Sequence, residues 1–415
     1  MNNLKVKISW SFYDWANSAW SAMIITFVFS RYFVEVLSED INIGTLYWTW
    51  TIGLSSLLAA FLSPIFGSIS DQSQKSKFYL IFTTLIYSII CFIFWNAKPN
   101  GLEIFTIIIF IFIGNLSYEI SQIFYNGQLK LITNNKNYAR LSGFAWGLGY
   151  IGTVIIFLIY YILFLLNDPI INLDKSTYEH IRISFPITGL WILIFSIPLF
   201  FYFKDPNPYL STKSLNIKES FNQLMITFKN IKKYKNLIRF LFSRLFYMDG
   251  INAIFAVAAI YSTVVFGMNT NDIIMLGIGT NVAAGIGSWI FSFIEPKLGS
   301  KNVIVSSLIF ILLISLIILL TNDKFIFTIL AIFLSSFFGP IQSASRVYFI
   351  KNIPSEKKYE FFGFYSFAGK VTAFFGPVLY GTIAYIFSSP KIGMASLIFL
   401  FLIGLILILR VENDN

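Results

Sequence analysis

Tyr13-Asp14-Trp15-Ala16-Asn17 lies inside the first long apolar segment of the chain, and Tyr247-Met248-Asp249-Gly250-Ile251-Asn252 lies inside the seventh. Both contain Asp-x-x-Asn, whose one-turn spacing puts carboxylate and amide on the same helix face. An ionisable group within a membrane segment is costly and marks a functional site by default. Its recurrence at corresponding places in two halves of one chain points to an internally duplicated transporter.

The surrounding composition agrees. Of 415 residues, 56% are hydrophobic and 12% charged, with a mean hydropathy of +0.73, whereas a water-soluble chain is about 25% charged. Apolar runs of roughly 20 residues, enough to cross a hydrocarbon core, recur from end to end. The expected spans are 9–36, 44–70, 78–97, 102–127, 141–166, 181–203, 237–265, 273–295, 302–321, 325–350, 361–388 and 391–410. They make an all-α membrane protein of 12 transmembrane helices, with six-helix bundles over 1–203 and 237–415 and a linker over 204–236. Lys5 and Lys7 run straight into the first span with no small-residue cleavage site, so that span is expected to stay in the protein.

The net charge of +10 follows topology rather than a nucleic-acid surface. With the N-terminus inside, the inner stretches hold most lysines and arginines, among them Lys75, Lys77, Lys130, Arg140, Lys301 and Lys358. The outer stretches hold only Lys98, Lys175, Arg182, Lys324 and Lys391. This asymmetry puts both termini in the cytoplasm. In the linker, Ile217, Phe221, Leu224, Met225, Phe228 and Ile231 share one helical face, an amphipathic helix suited to the inner membrane surface. Cys91 and His180 are the only cysteine and histidine, which argues against a metal site and a membrane-embedded enzyme. No Walker-type phosphate loop is present, which disfavours a nucleotide-driven pump.

The duplication extends further. At an offset of 220 residues, Gln122 matches Gln342, Gly143-Phe144 matches Gly363-Phe364, and Gly149 matches Gly369. Parallel six-plus-six repeats are the architecture of major facilitator transporters. The loop Gly67-Ser68-Ile69-Ser70-Asp71-Gln72-Ser73-Gln74-Lys75-Ser76-Lys77 resembles the loop signature of that superfamily, with Gln72 where an arginine is usual. Gly67, Asp71, Lys75 and Lys77 are its gating candidates. Phe12-Tyr13-Asp14-Trp15-Ala16-Asn17-Ser18-Ala19, Leu141 to Tyr150, Gln342-Ser343-Ala344-Ser345-Arg346 and Glu360 to Lys370 resemble the vacuole effluxer-like family, whose bacterial branch is known as unidentified major facilitators. The resemblance covers about residues 9–385. It implies the major facilitator fold and, from the eukaryotic branch, amino-acid efflux.

Four polar stripes fall on the helices that line the path in this architecture. They are Asp14, Asn17, Ser18 and Ser21; Asn115, Glu119, Gln122 and Asn126; Asp249 and Asn252; and Ser335, Gly339, Gln342 and Arg346. Asn, Gln and Ser in such helices also serve plain helix–helix hydrogen bonding. The acids Asp14, Glu119 and Asp249 face the bases Arg244, Arg346 and Lys370 in number. Asp14, near the inner end of its span, is expected to be stabilised by the helix dipole or by a base such as Arg140. Asp249 lies deeper and is the stronger candidate for substrate or ion. Pro64, Pro340 and Pro377 are expected kinks.

The expected activity is proton-coupled secondary transport of a small polar solute such as an amino acid, with Asp14, Glu119 or Asp249 titrating. The alternatives are facilitated or sodium-coupled permeation. A monomer in the cell membrane is expected, its partners a small-molecule substrate, a proton and the lipid bilayer, with no cofactor, resident metal or nucleic acid.

Overall fold

The computed structural model describes residues 4–99, 101–166, 168–206, 222, 225–227, 229 and 231–413. Among these the regular structure is helical throughout. Eleven helices are long and apolar enough to cross a membrane. Ten of them run in order: α1 Leu4–Leu37, α2 Ile41–Ser73, α3 Ser76–Asn96, α4 Ile104–Ile132, α5 Asn135–Leu165, α6 Glu179–Tyr202, α7 Lys232–Phe266, α8 Asp272–Leu298, α9 Ser300–Leu320 and α10 Lys324–Asn352. The expected span 361–388 is instead two shorter helices, α11 Lys358–Lys370 and α12 Phe375–Ile386, joined by a turn. The eleventh long helix, α13, is Pro390–Leu409. His180 lies in the first turn of α6. The amphipathic face expected in the linker lies largely outside the described residues.

Helix ends follow local chemistry. The Asp40 carboxylate accepts from the N–H groups of Asn42 and Ile43 to start α2, and Asn269 with Asp272 makes a reciprocal capping box at the start of α8. The break between α11 and α12 has a backbone cause. Pro377 carries no N–H, so the Ala373 carbonyl four residues earlier receives no helical bond. Pro340 acts likewise on Ser336, and α10 is interrupted there between Ser335 and Phe338. Pro64 is different: α2 runs unbroken through it.

The most extensive helix contacts join α2 to α11 and α5 to α8, followed by α7 to α13 and α1 to α5. The first two pairs link the front of the chain to its back. Glycines permit both. A Cβ on Gly67 would strike the Tyr359 carbonyl, and one on Gly363 would strike Pro64 and the Ser63 carbonyl, so α2 and α11 touch backbone to backbone. On α5, a Cβ at Gly143 would stand 2.7 Å from the Ser288 carbonyl of α8. Beside it the Trp289 indole N–H donates to the Phe144 carbonyl at 3.2 Å.

All of these contacts sit toward one end, the end that carries the 74–76 turn. Two helix termini are capped there by charges from the front half. Asp71 accepts the Tyr359 N–H at 3.2 Å and the Glu360 N–H at 2.8 Å at the start of α11, with Lys358 3.8 Å away. Lys130 donates to the Ile350 and Ile353 carbonyls at the end of α10. An acid at a helix N-terminus and a base at a C-terminus are the favourable arrangements with the helix dipole. Lys75 is exposed, while the Lys77 N–H and the Ser76 hydroxyl both donate to Asp205. Among the described residues, the hydrogen bonds, ion pairs and ring contacts joining 4–206 to 231–413 reach no further from this end than Phe61, Glu119, Tyr150, Gln342 and Lys370. The halves are therefore sealed at one end and, among the described residues, joined by no such contact at the other, the cleft side.

Valine at Gly67 or Gly363 forces main chain away from main chain, which no rotamer change relieves. Either substitution is expected to raise maleimide labelling of a Ser63→Cys reporter severalfold. Native Cys91 is fully buried and supplies little background. Unchanged labelling would mean that the glycine contact does not hold this end shut.

Candidate functional site

Arg346, 2% exposed on α10, is the centre of the polar network between the halves. Its NH1 stands 3.3 Å from Asp14 Oδ2 on α1 and donates at 3.1 Å to Asn126 Oδ1 on α4. Its Nε and NH2 donate to the Ser142 hydroxyl and carbonyl on α5, at 2.9 and 3.0 Å. The guanidinium also lies over the rings of Trp10, Tyr125 and Trp146, at 4.8, 5.7 and 5.6 Å. A planar fork of donors suits this use, because several acceptors are satisfied at once while the faces stack on aromatics. A buried charge is tolerable only when paired and hydrogen-bonded in this way.

The expected reading of Asp14 is corrected here. Its partner is neither the helix dipole nor Arg140, which is exposed, but a base 332 residues away on the opposite half. Tertiary packing, not position along α1, decides its role. Asn17 is buried one turn on. Asn126 and Arg346 are 220 residues apart, the interval that also separates Gln122 from Gln342 in the sequence.

Nearer the cleft, Lys370 Nζ donates to Glu119 Oε1 at 2.6 Å, an ion pair across the halves in addition to Arg346–Asp14 and Lys358–Asp71. Its environment is uneven: the Lys370 side chain is 35% exposed and the Glu119 side chain 7%. Gln342 accepts from the Tyr150 hydroxyl at 2.7 Å. Gln122 is half-buried, with its amide 3.3 Å from the Ser121 hydroxyl. Asn115 does not join this group. It is 2% exposed and donates to the Ser55 and Ser56 hydroxyls on α2, at 2.8 and 3.2 Å. Its place in the stripe reflects a helix–helix hydrogen bond within the front half, so the stripe of α4 is only partly a path lining.

On α7, Asp249 is buried and Asn252 is half-buried. Arg244 forms no ion pair with Asp249: its guanidinium lies 3.5 Å over the Tyr365 ring and donates to the Tyr365 carbonyl. The expected balance of buried charges is thus uneven. Asp14 and Glu119 have bases, and Asp249 has none among the ion pairs of the described residues.

Sequence spacing did not single out Trp10, Tyr125, Trp146, Ser142 or Tyr150. Aromatic residues are ordinary in membrane helices, and only the assembled rings show that three of them surround one guanidinium. Their one sequence signal is adjacency, since Tyr125 precedes Asn126 and both Trp146 and Tyr150 fall in the stretch Leu141 to Tyr150.

The family profile described as vacuole effluxer Atg22 like matches residues 31–139 and 132–415. The chain belongs to the vacuole effluxer Atg22-like family. Among its relatives, an uncharacterized MFS-type transporter, YxiO, of Bacillus subtilis (strain 168) is 28% identical, with 99% of this chain and 96% of the relative aligned. Autophagy-related protein 22 of Cryptococcus neoformans var. neoformans serotype D (strain JEC21) is 23% identical over 70% of this chain and 52% of its own length. A solved major facilitator superfamily transporter, FucP, in its outward conformation superposes with a TM-score of 0.78 over 99% of both chains at 14% identity. This Atg22-like chain therefore has the major facilitator fold, and it is a multi-pass membrane transporter rather than an enzyme.

Arg346→Ala strands the Asp14 carboxylate in a buried site, and losing one partner of a buried pair costs about 3–5 kcal/mol. Thermal unfolding in detergent is expected to show a large drop for Arg346→Ala, a smaller one for Arg346→Lys, which keeps charge but not the fork, and partial recovery in Asp14→Asn/Arg346→Ala. A drop no larger than that of a lipid-facing arginine substitution would exclude the role given to Arg346.

Proposed function

We propose that this chain is a secondary active transporter that moves a small polar solute, an amino acid or a related metabolite, by alternating access with a proton as coupling ion. The observation that carries this reading is the Glu119–Lys370 pair at the inner reach of the cleft. A solute carboxylate competes with Glu119 for Lys370, and a solute ammonium competes with Lys370 for Glu119. A zwitterion does both. A proton on Glu119 removes the same attraction, so solute and proton act on one contact between the halves. Opening the sealed end then requires the Asp14–Arg346 contact to part as well, and the cleft closes behind the solute.

In this reading the chain has 12 spans, with α11 and α12 together counting as one. They form two six-helix bundles, 1–203 and 237–415, that rock about a linker over 204–236. The lysine and arginine asymmetry favours cytoplasmic termini and makes the sealed end the cytoplasmic one, so the cleft faces outward. The protein works as a monomer in the cell membrane.

Purified protein in liposomes is expected to accumulate or expel labelled amino acids when a pH gradient is imposed. Glu119→Gln is expected to lower that flux at least about tenfold, the scale of one lost charge-assisted contact of about 1.5–3 kcal/mol. Unchanged flux in Glu119→Gln would remove the coupling assignment. A solute that raises thermal stability by mass action yet shows no pH-gradient response would favour facilitated or sodium-coupled permeation.

A further inference from the structure

Asp249 is 1% exposed, and neither of its carboxylate oxygens has a hydrogen-bond partner. The Thr372 hydroxyl, in the turn between α11 and α12, stands beside it, and that oxygen is buried too. The two segments are in contact at this level: a Cβ on Gly376 would lie 2.7 Å from the Asp249 carbonyl. The same turn holds the Ala373 carbonyl that Pro377 deprives of its helical donor. A buried carboxylate, a hydroxyl and a main-chain carbonyl thus belong to this level of the fold, and none of them carries a positive charge.

The nearby bases are engaged elsewhere. Arg244 is stacked on Tyr365, and Lys370 is held by Glu119. The duplication shows the same deficit from another side. Asp14 receives its cation from Arg346 in the opposite half, and 220 residues before Arg346 stands the neutral Asn126, which itself accepts from Arg346. The back half therefore keeps its acid while the front half offers it no base.

We propose that Asp249, Thr372 and the Ala373 carbonyl at the turn between α11 and α12 contribute to a binding site for a dehydrated monovalent metal cation of the size of sodium. Charge sets the valence. One carboxylate neutralises one positive charge, whereas a divalent ion would leave a net charge within the membrane. Among the described residues no group of three His, Cys, Asp or Glu side chains could hold a metal, so the donors are the hard oxygens of a carboxylate, a hydroxyl and main chain. Broken helices near the membrane midplane supply such oxygens to sodium in other transporters. The bound ion joins α7 to the α11–α12 turn and holds together the wall opposite Asp14.

The site is tested by binding, independently of transport. Full-length protein in detergent is melted at fixed pH and ionic strength in sodium, lithium, potassium or choline chloride. Sodium is expected to raise the melting temperature by a saturable few degrees over choline, with potassium close to choline. Radioactive sodium should bind with the same midpoint. Asp249→Asn and Thr372→Val should abolish both signals, and Thr372→Ser should retain them. Asp249→Asn removes an unpaired buried charge, so it is expected to melt at or above the wild type in choline, which separates lost binding from misfolding. Identical melting in all four salts, with stabilisation only on acidification, would overturn the site and leave Asp249 a protonated acid. Proton-driven flux in sodium-free liposomes reports on Glu119 alone, so failure of either idea leaves the other standing.

Discussion

One guanidinium organises the sealed side of this protein. Arg346 comes from the back half, but its acceptors come from α1, α4 and α5 of the front half. Taking an arginine and an aspartate out of water costs several kcal/mol per ion, and that cost is offset only while the two halves stay together. The pair with Asp14, the two bonds to Ser142 and the three rings are formed or lost as a unit. Around this point the backbone contact of Gly67 with Tyr359 and the capping of α10 and α11 by Lys130 and Asp71 become possible. Each of these needs the helices already close.

Much of this was legible in the sequence, because a membrane imposes strong rules. Apolar runs gave the spans, and the positions of Glu119, Gln342 and Arg346 on them were readable from helical spacing. Partners were not. Whether Asn115 faces α2 or the path depends on how far α4 is rotated, and no periodicity fixes that rotation. Asp14 looked like a helix-end acid because its base lies 332 residues away. The division of 361–388 into two helices had a visible cause in Pro377, yet Pro64 carries the same residue type inside a continuous α2. A proline removes one hydrogen bond in either place, and neighbouring helices decide whether the chain then bends or breaks.

The two copies of Asp-x-x-Asn thus end in different physical states. The first acid is neutralised by a base from the opposite half and belongs to the seal. The second has no such base and lies against a broken helix. The pair between them, Glu119 with Lys370, is both buried and reachable from the cleft, a combination suited to a contact that must open and close. The three acids thus stand in three different surroundings on one fold.

The meeting of Asn126 with Arg346 has a consequence for how such a chain diverges. These two residues contact each other and stand 220 residues apart, the interval at which Gln122 repeats as Gln342 and Gly143 as Gly363. A freshly duplicated gene encodes the same residue at both places. Two arginines there would repel at contact distance, and two asparagines would leave Asp14 with no cation. The arginine and asparagine found here avoid both outcomes, because one supplies the cation and the other accepts from it. Unlike residues at this contact therefore serve it better than a matched pair.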